Sequence, residues 1–476
     1  MEKVLLVAGT RPELIKIAPI VEALEKHSGE VALSFVHSGQ HFDKEMSADL
    51  IKELGLPKPD VNLRVRSGSH AEQTSKILRR LEKIIVKLRP SVVVAVGDTN
   101  TVLASCLASI KLHVPFAHVE AGLRCYDMTM PEEVNRRVAD SVSTLLFAPS
   151  ERAVLNLLYE GRCLDEVYLT GNTIVDMCLR YLPKAEEKAP VVLEEIGVKG
   201  NKPLAVITVH RVENADNKEK LTLITKALLM LNDLEIVFPI HPRTEKKLRE
   251  YGLLSLLKKA SHVHCLKPLG YLNFLGLLVT CDVVITDSGG VQEEAFCLGK
   301  LCVTLRKNTE RPETVERNAN VLVGHDPVKI VYFVRKAVYE GKFNYKPVFK
   351  PNPYGQGDAG EKIAKILVEQ LLSGLKIEKP DYSECGAPIF TLTRGYELNK
   401  LSPLLLRERR IRVSMVYDEK GRPVIPSGNL EVVKDDWLVR LQGQRSDLER
   451  AIYPPLKPLV KGGLRWGEKK YIDETA

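Results

Sequence analysis

The sequence predicts an α/β chain: two doubly wound, parallel-sheet domains facing each other across a cleft, followed by a small α+β module. Three observations carry this. Short Val- and Ile-rich runs with little polar alternation recur from Val4 to Thr304, as strands buried on both faces do. Longer segments with helical spacing separate them, so the sheets must be parallel with helices on both faces. The alternation breaks over Lys184–Pro203, rich in Lys, Glu, Pro and Gly, and restarts at Leu204.

Taken in order, the strand runs of the first half are Val4–Ala8, Leu33–His37, Val92–Val96, Phe116–Val119, Leu145–Ala148 and Val167–Leu169. Those of the second are Leu204–Thr208, Glu235–Pro239, Val263–Cys265, Val283–Thr286 and Cys302–Thr304. Leu14–Lys26, Thr74–Leu88, Lys218–Asn232 and Val291–Leu298 have helical spacing and helix-forming composition. One sheet holding every strand is disfavoured, because open sheets rarely pass about ten strands. The expected domains are 1–170 and 171–375, the last helix being a candidate to cross back to the first, then a linker at 376–388 and an accessory module at 389–476. In that module Arg410–Tyr417 and Trp437–Leu441 read as strands, Gly421-Arg422-Pro423 as a turn and Ser446–Ile452 as a helix; both tryptophans, Trp437 and Trp466, lie there.

Composition narrows the function. The chain has 476 residues, 44% hydrophobic and 27% charged, which excludes wholesale disorder and collagen-like repeats. No apolar run reaches the roughly 18–20 residues of a membrane span, and no small-residue cleavage site follows Val4–Ala8, so a cytoplasmic protein is expected. The net charge of +8 is spread thinly, partly over residues 386–476, with no Lys/Arg block to mark a nucleic-acid binder. The nine cysteines are scattered and never spaced Cys-x-x-Cys; free thiols are expected, with neither a zinc site nor a disulfide framework.

Two strand-to-helix loops suit an anion. After Val4–Ala8, Gly9 permits a tight exit and Pro12 suits a first helical turn, leaving free N–H groups beside Arg11 and Lys16. A plain turn with surface charges reads equally well. After Val283–Thr286, Ser288 with the Gly289 and Gly290 amides would form a nest for a diphosphate, and Glu293 or Glu294 could accept from ribose hydroxyls. The alternative is that Ser288 merely caps a helix. Neither loop matches G-x-G-x-x-G or a P-loop. Charge also accumulates where strands end: Asp98, Glu120, then Glu132, Glu133 and Arg136, His210-Arg211, and His241. Carboxylates and histidines converging on a phosphate-binding cleft are what proton transfer beside a nucleotide leaving group needs. Zinc at His210 and His241 lacks the His-x-x-x-His spacing.

These segments form one ordered set: Gly9-Thr10-Arg11-Pro12-Glu13, Gly97-Asp98-Thr99, His118–Arg124, Pro131-Glu132-Glu133-x-Asn135-Arg136, Gly171-Asn172-Thr173, His210-Arg211-x-Glu213-Asn214, Thr286–Glu294, Glu310-Arg311-Pro312-Glu313 and Asn352-Pro353-Tyr354-Gly355-x-Gly357. Over roughly residues 3–372 the set resembles the non-hydrolysing UDP-N-acetylglucosamine 2-epimerases. The resemblance implies a GT-B fold of two Rossmann-like domains, a homodimer, and interconversion of UDP-GlcNAc and UDP-ManNAc without metal or other cofactor, supplying surface polysaccharide or glycoprotein synthesis. It further implies anti elimination of UDP to 2-acetamidoglucal and syn re-addition.

By position, the resemblance makes Asp98, Glu120 and Glu132 the catalytic acids, with the division of base and acid among them open, and His210 a group beside the diphosphate. Arg11, Lys16 and Arg136 would hold diphosphate or sugar, and Ser288, Gly289, Gly290 and Glu294 the UDP nest and ribose. Phe274 would lie near uracil, or be a core residue of an apolar helix; His241 and Arg311 are further site candidates. There are departures. Bacterial members bind a second UDP-GlcNAc partly through glutamines; Gln40-His41 is present, but the later position is Ser69, which argues against regulation of that kind. The His210-Arg211 loop continues Ala215-Asp216-Asn217 instead of a Gly-containing sequence. The tail, with Val424–Leu430 and Lys434–Val439, resembles TrkA-C modules, which dimerise and bind small ligands; a strand-rich appendage is the other reading. The alternatives of function are a hydrolysing epimerase that releases ManNAc and UDP, a variant acting on a diacetamido uronic acid nucleotide, and an inactive nucleotide-sugar sensor.

Overall fold

Strands apolar on both faces can be satisfied only inside a sheet covered on two sides, and the computed structural model puts them there. It describes residues 1–40, 44–198, 200, 202–377, 389–394, 411–418, 423–424 and 438–443. Residues 1–153 and 169–375 form one compact unit; residues 154–168 group with the chain after 375 in another. One sheet contains β1 (Glu2–Ala8), β2 (Val31–His37), β3 (Val61–Asn62), β4 (Val92–Val96), β5 (Phe116–Val119), β6 (Leu145–Ala148) and β7 (Val167–Leu169), in the order β3-β2-β1-β4-β5-β6-β7. A second contains β8 (Leu204–Thr208), β9 (Glu235–Pro239), β10 (Val263–Leu266), β11 (Val283–Thr286), β12 (Leu301–Thr304) and β13 (Asn320–Leu322), in the order β10-β9-β8-β11-β12-β13.

β1 pairs parallel with β2 and β4, and β8 with β9 and β11. Each of these central strands therefore marks a switch point, where the connection leaves in opposite directions on its two sides and opens a crevice beyond the strand ends. The loops after β1 and β4, and after β8 and β11, flank those crevices and carry Arg11, Asp98, His210 and Ser288.

Double-sided burial is visible along single strands. Ala205 and Ile207 of β8 join a core with Ile236, Phe238, Val283, Ile285 and Leu228, while Val206 faces the opposite way, into a core with Val237, Val284, Leu277 and Leu278. In the first sheet Leu5, Val7, Val93 and Phe116 pack with Ile77 and Leu81 on one face, while the alternate residues Val4 and Leu6 of β1 are fully buried as well. Each such side chain, when fully buried, stabilises by about 1.5–3 kcal/mol.

One expectation is corrected. Lys184–Pro203 is not a break throughout: a helix spans Thr173–Ile196, with Pro183 and Pro190 inside it, and ends at Gly197 with φ +81°. Lys and Glu are good helix formers, and the inward residues Ala185, Ala189 and Val192 are buried. A Cβ on Gly276 would meet the Ala185 carbonyl at 3.1 Å and Ala189 Cα at 3.5 Å, so small residues let this helix lie against helix Tyr271–Thr280. Tertiary packing thus offsets the helix-breaking prolines. Further along, helix Ala359–Leu372 returns to helix Arg11–Glu25: Gly360 sits where a Cβ would meet Pro19 Cβ at 2.6 Å, and Lys26 pairs with Glu361 at 2.8 Å.

The described part of the tail is an antiparallel sheet of β14 (Ile389–Arg394), β15 (Ile411–Tyr417), β16 (Pro423–Val424) and β17 (Leu438–Gly443), in the order β14-β17-β15-β16, with Val413, Met415, Val416, Val439 and Leu441 buried. β15 and β17 fall on the two expected strands, whose first expected residues, Arg410 and Trp437, lie outside the described residues. The expected helix Ser446–Ile452 and both tryptophans lie outside the described residues, as do most of the linker and of the TrkA-C-like stretches.

Candidate active site

In the first domain Asp98 and Glu120 sit where a strand has just ended, and Glu132 opens a helix. The Glu13 carboxylate accepts from the amides of Gly9 (2.6 Å) and Thr10 (2.9 Å) and from the Thr99 hydroxyl, tying the loop after β1 to that after β4. Asp98 follows Gly97, whose φ of +91° turns the chain off β4, and meets Arg136 at 2.6 Å. Glu120 directly follows β5 with φ +69°, a left-handed conformation that costs a non-glycine residue about 1–3 kcal/mol and persists only where its surroundings hold it there. They do: Lys16 Nζ lies 2.6 Å from one carboxylate oxygen, and Asn172 Nδ2 donates to the other at 2.7 Å. Glu132 opens helix Pro131–Val142 and faces Arg211 of the second domain at 3.6 Å.

The second domain is organised by buried Asp287, just past β11. It accepts from the His210 and Arg211 amides and from Asn214 Nδ2, and pairs with His210 Nδ1 at 3.1 Å. This joins the loops after β8 and β11 and fixes the tautomer of His210, whose side chain remains 38% exposed. Ser288 Oγ caps helix Gly289–Cys297. A Cβ on Gly289 would meet Glu310 Oε1 at 2.9 Å and Arg311 Cζ at 3.2 Å, so that turn needs its glycine; at Gly290 a Cβ would meet nothing within 4 Å.

The two halves interlock through charge. Asn172 Nδ2 also donates to Glu293 (2.8 Å), and Arg311 spans Glu293 (3.0 Å), Glu310 (3.3 Å) and Glu120 (3.8 Å). Glu310 is further flanked by Arg211 (3.1 Å), Arg136 (4.0 Å) and Arg306, which approaches at 2.8 Å as an ion pair without hydrogen-bond geometry. Burial works against ionisation of Asp98, but Arg136, Arg211 and Lys16 outweigh it; Lys16 and Arg311 do the same for Glu120, and both carboxyls stay below their ordinary values. Burial likewise opposes charge on Glu310, and its arginines hold it well below the usual range. At Glu293 and Glu294 burial prevails and pushes each up to about 7, helped by repulsion from Glu120 on the first and from Glu293 on the second.

Asp98, Glu120, Glu132, Lys16, Arg136, Arg311, Gly289 and His210 are therefore brought into one region, linked by successive contacts. Glu294 is buried beside Tyr271 and Glu293, near Arg11. Arg11 is spent on the Leu269 carbonyl of the second domain. His241 caps helix Pro242–Glu250, its ring 5.9 Å from His210. Phe274 packs against the second-domain core, which favours the plainer of its two readings. Ser69, at the position where a glutamine was expected, caps helix His70–Leu88. Sequence reasoning missed Asn172, Asp287 and Glu310 as individual groups. Each lay inside a quoted motif, but nothing along the chain says which carboxylate meets which arginine.

A family model described as UDP-N-acetylglucosamine 2-epimerase matches residues 22–368. A protein of Methanocaldococcus jannaschii named UDP-N-acetylglucosamine 2-epimerase is 45% identical over 368 residues, 77% of this chain and 98% of that one. The crystal structure of M. jannaschii UDP-GlcNAc 2-epimerase in complex with UDP-GlcNAc and UDP is similar with a TM-score of 0.71 at 44% identity, covering 77% of this chain and 99% of that chain. The UDP-2,3-diacetamido-2,3-dideoxy-D-glucuronate 2-epimerase of Pseudomonas aeruginosa is 39% identical over 371 residues, 77% of this chain and 99% of its own. The matched residues stop short of the tail.

Proposed function

The chain belongs to the UDP-N-acetylglucosamine 2-epimerase family, and on that premise we propose that it interconverts UDP-GlcNAc and UDP-ManNAc by eliminating and re-adding UDP. The observation that carries the site assignment is the convergence of Asp98, Glu120 and Glu132, from three separate segments, on arginines gathered at Glu310, which with Arg311 borders Gly289.

The hydrogen on carbon 2 of the sugar is barely acidic, so it leaves only as the bond from carbon 1 to oxygen breaks. A carboxylate takes the proton, the carbon–hydrogen electron pair becomes the carbon 1–carbon 2 double bond, and the carbon–oxygen pair departs on UDP. Re-addition delivers a proton to the opposite face of carbon 2 while a diphosphate oxygen re-forms the bond to carbon 1. Proton delivery on two faces calls for more than one carboxyl, which three acids around one cleft supply. Departure is eased by fixed donors at the diphosphate: the Gly289 and Gly290 amides at a helix N-terminus, and the imidazolium form of His210, which donates through Nε2 while Asp287 accepts from Nδ1. Lys16 and Arg311 make Glu120 a weak base; a diphosphate bound here competes for those cations and returns basicity to the carboxylate.

The test is incubation with UDP-GlcNAc in deuterium oxide. Both UDP sugars should be recovered with deuterium at carbon 2. Turnover without label would exclude elimination, free ManNAc with UDP would identify a hydrolysing enzyme, turnover only of a diacetamido uronate nucleotide would identify a variant of the P. aeruginosa kind, and binding without turnover would leave a sensor. A homodimer and a ligand-binding, TrkA-C-like tail belong to the same reading; the antiparallel sheet after residue 388 supports a separate module there, and sedimentation of full-length and 1–375 chains would show whether it pairs subunits. A cytoplasmic location belongs to the same proposal.

A further inference from the structure

We propose that Glu310 is a positioning residue for this reaction: one buried carboxylate gathers the three arginines that align the three candidate catalytic acids. The inference rests on the functional reading above. Arg136 holds Asp98 at 2.6 Å, Arg211 faces Glu132 at 3.6 Å, and Arg311 lies 3.8 Å from Glu120. The same three guanidinium groups lie 4.0, 3.1 and 3.3 Å from Glu310 Oε1. Each acid is thus one arginine removed from one oxygen atom. The acids come from the first domain and Glu310 from the second, so the alignment is complete only when the two domains are seated together.

Charge balance makes the arrangement more than a buttress. The fourth arginine, Arg306, lies 2.8 Å from Glu310 Oε2 and 3.7 Å from Glu213. Arg136 is also held by Glu133 at 2.6 Å and Arg311 by Glu293 at 3.0 Å, and the Cys125 thiol senses Glu310 from beside Glu133. With Glu310 present, the three aligning arginines divide their charge between it and the catalytic acids. Without it a larger share of their field falls on Asp98, Glu120 and Glu132, which become weaker bases, and the cleft beside Gly289 becomes more attractive to a diphosphate.

The experiment measures kcat and KM for epimerisation from about pH 5 to 9, UDP inhibition and thermal stability, for the wild-type full chain, Glu310→Gln and Glu310→Asp. Glu310→Gln should lower kcat about 100-fold, move the acidic limb of the kcat profile about one unit to lower pH, and leave UDP binding as tight or tighter. Glu310→Asp keeps the charge on a shorter arm: its limb should stay at the wild-type position while kcat falls about tenfold. A folded Glu310→Gln with an unmoved limb, or a Glu310→Asp no better than it, would overturn the inference and leave a purely structural residue. If Glu310→Gln does not fold, Glu310→Asp decides alone, and either wild-type kcat or a displaced limb overturns the idea. An inactive wild type removes the functional reading and this inference with it; an active wild type with indifferent variants removes only the inference.

Discussion

Replacing Asn172 by aspartate separates two duties of one side chain. Its Oδ1 accepts from the Ile174 amide at 3.1 Å and caps helix Thr173–Ile196, whereas Nδ2 serves Glu120 at 2.7 Å and Glu293 at 2.8 Å. Aspartate caps as well as asparagine, so helix stability should hold. The shared donor, however, becomes a third carboxylate between two others. Losing a hydrogen bond to a charged group costs about 1.5–3 kcal/mol, which is about 10–150-fold in kcat if the bond is kept in the transition state. The added negative charge favours protonated Glu120, so the acidic limb of the kcat profile should move to higher pH, opposite to the shift expected of Glu310→Gln. Asn172→Ala should lose the same activity and, in addition, about 1 kcal/mol of stability with its cap. The assays are solvent-deuterium exchange at carbon 2 across pH and urea unfolding of both variants. Wild-type kcat and an unshifted limb in Asn172→Asp would show that the amide only caps, and the reasoning would fail.

Three further outcomes are expected. Asp98→Asn, Glu120→Gln and Glu132→Gln should each lower turnover at least about 100-fold while changing UDP affinity far less, as read by calorimetric titration with UDP; normal rates in all three would refute their assignment. Gly289→Ala should weaken UDP binding, because its Cβ would press on Glu310 and Arg311, while Gly290→Ala, with open space around the new methyl, should bind normally; equal affinities would place the diphosphate elsewhere. Glu294 has a folded-state pKa of about 7 because of burial, above its unfolded value, so the folded chain holds a proton the unfolded chain has lost and stability falls as pH rises toward 7 and through it. Glu294→Gln should remove up to about 3 kcal/mol of that decline between pH 5 and 8, and an unchanged slope in urea titrations at the two pH values would contradict it.

The strand–helix rhythm was legible because a strand buried on both faces must be apolar at every position, a demand the chain meets locally in Val92–Val96 and Val283–Thr286. β3 and β13 escaped notice, being only two and three residues long and each carrying an asparagine that breaks the apolar run, Asn62 in the first and buried Asn320 in the second. The helix through Pro183 and Pro190 was misread for the converse reason: its stability comes from helix Tyr271–Thr280, which is distant in sequence. The site divides in the same way. Asp98, Glu120 and His210 could be found because each stands where an apolar run stops and a loop begins, and their motifs together marked the family.

What the sequence determined alone was therefore chemistry and place: which loops carry acids, cations and glycines, and that they open at the ends of parallel strands. What only the tertiary structure decided was partnership. Arg136, Arg211 and Arg311 lie far apart along the chain yet meet at Glu310, and Asn172 reaches across to Glu120 and Glu293. Ionic contacts of this kind depend on distances of a few ångströms between residues dozens to hundreds of positions apart. Local propensity and periodicity carry no information about those distances, because the packing of two whole domains sets them.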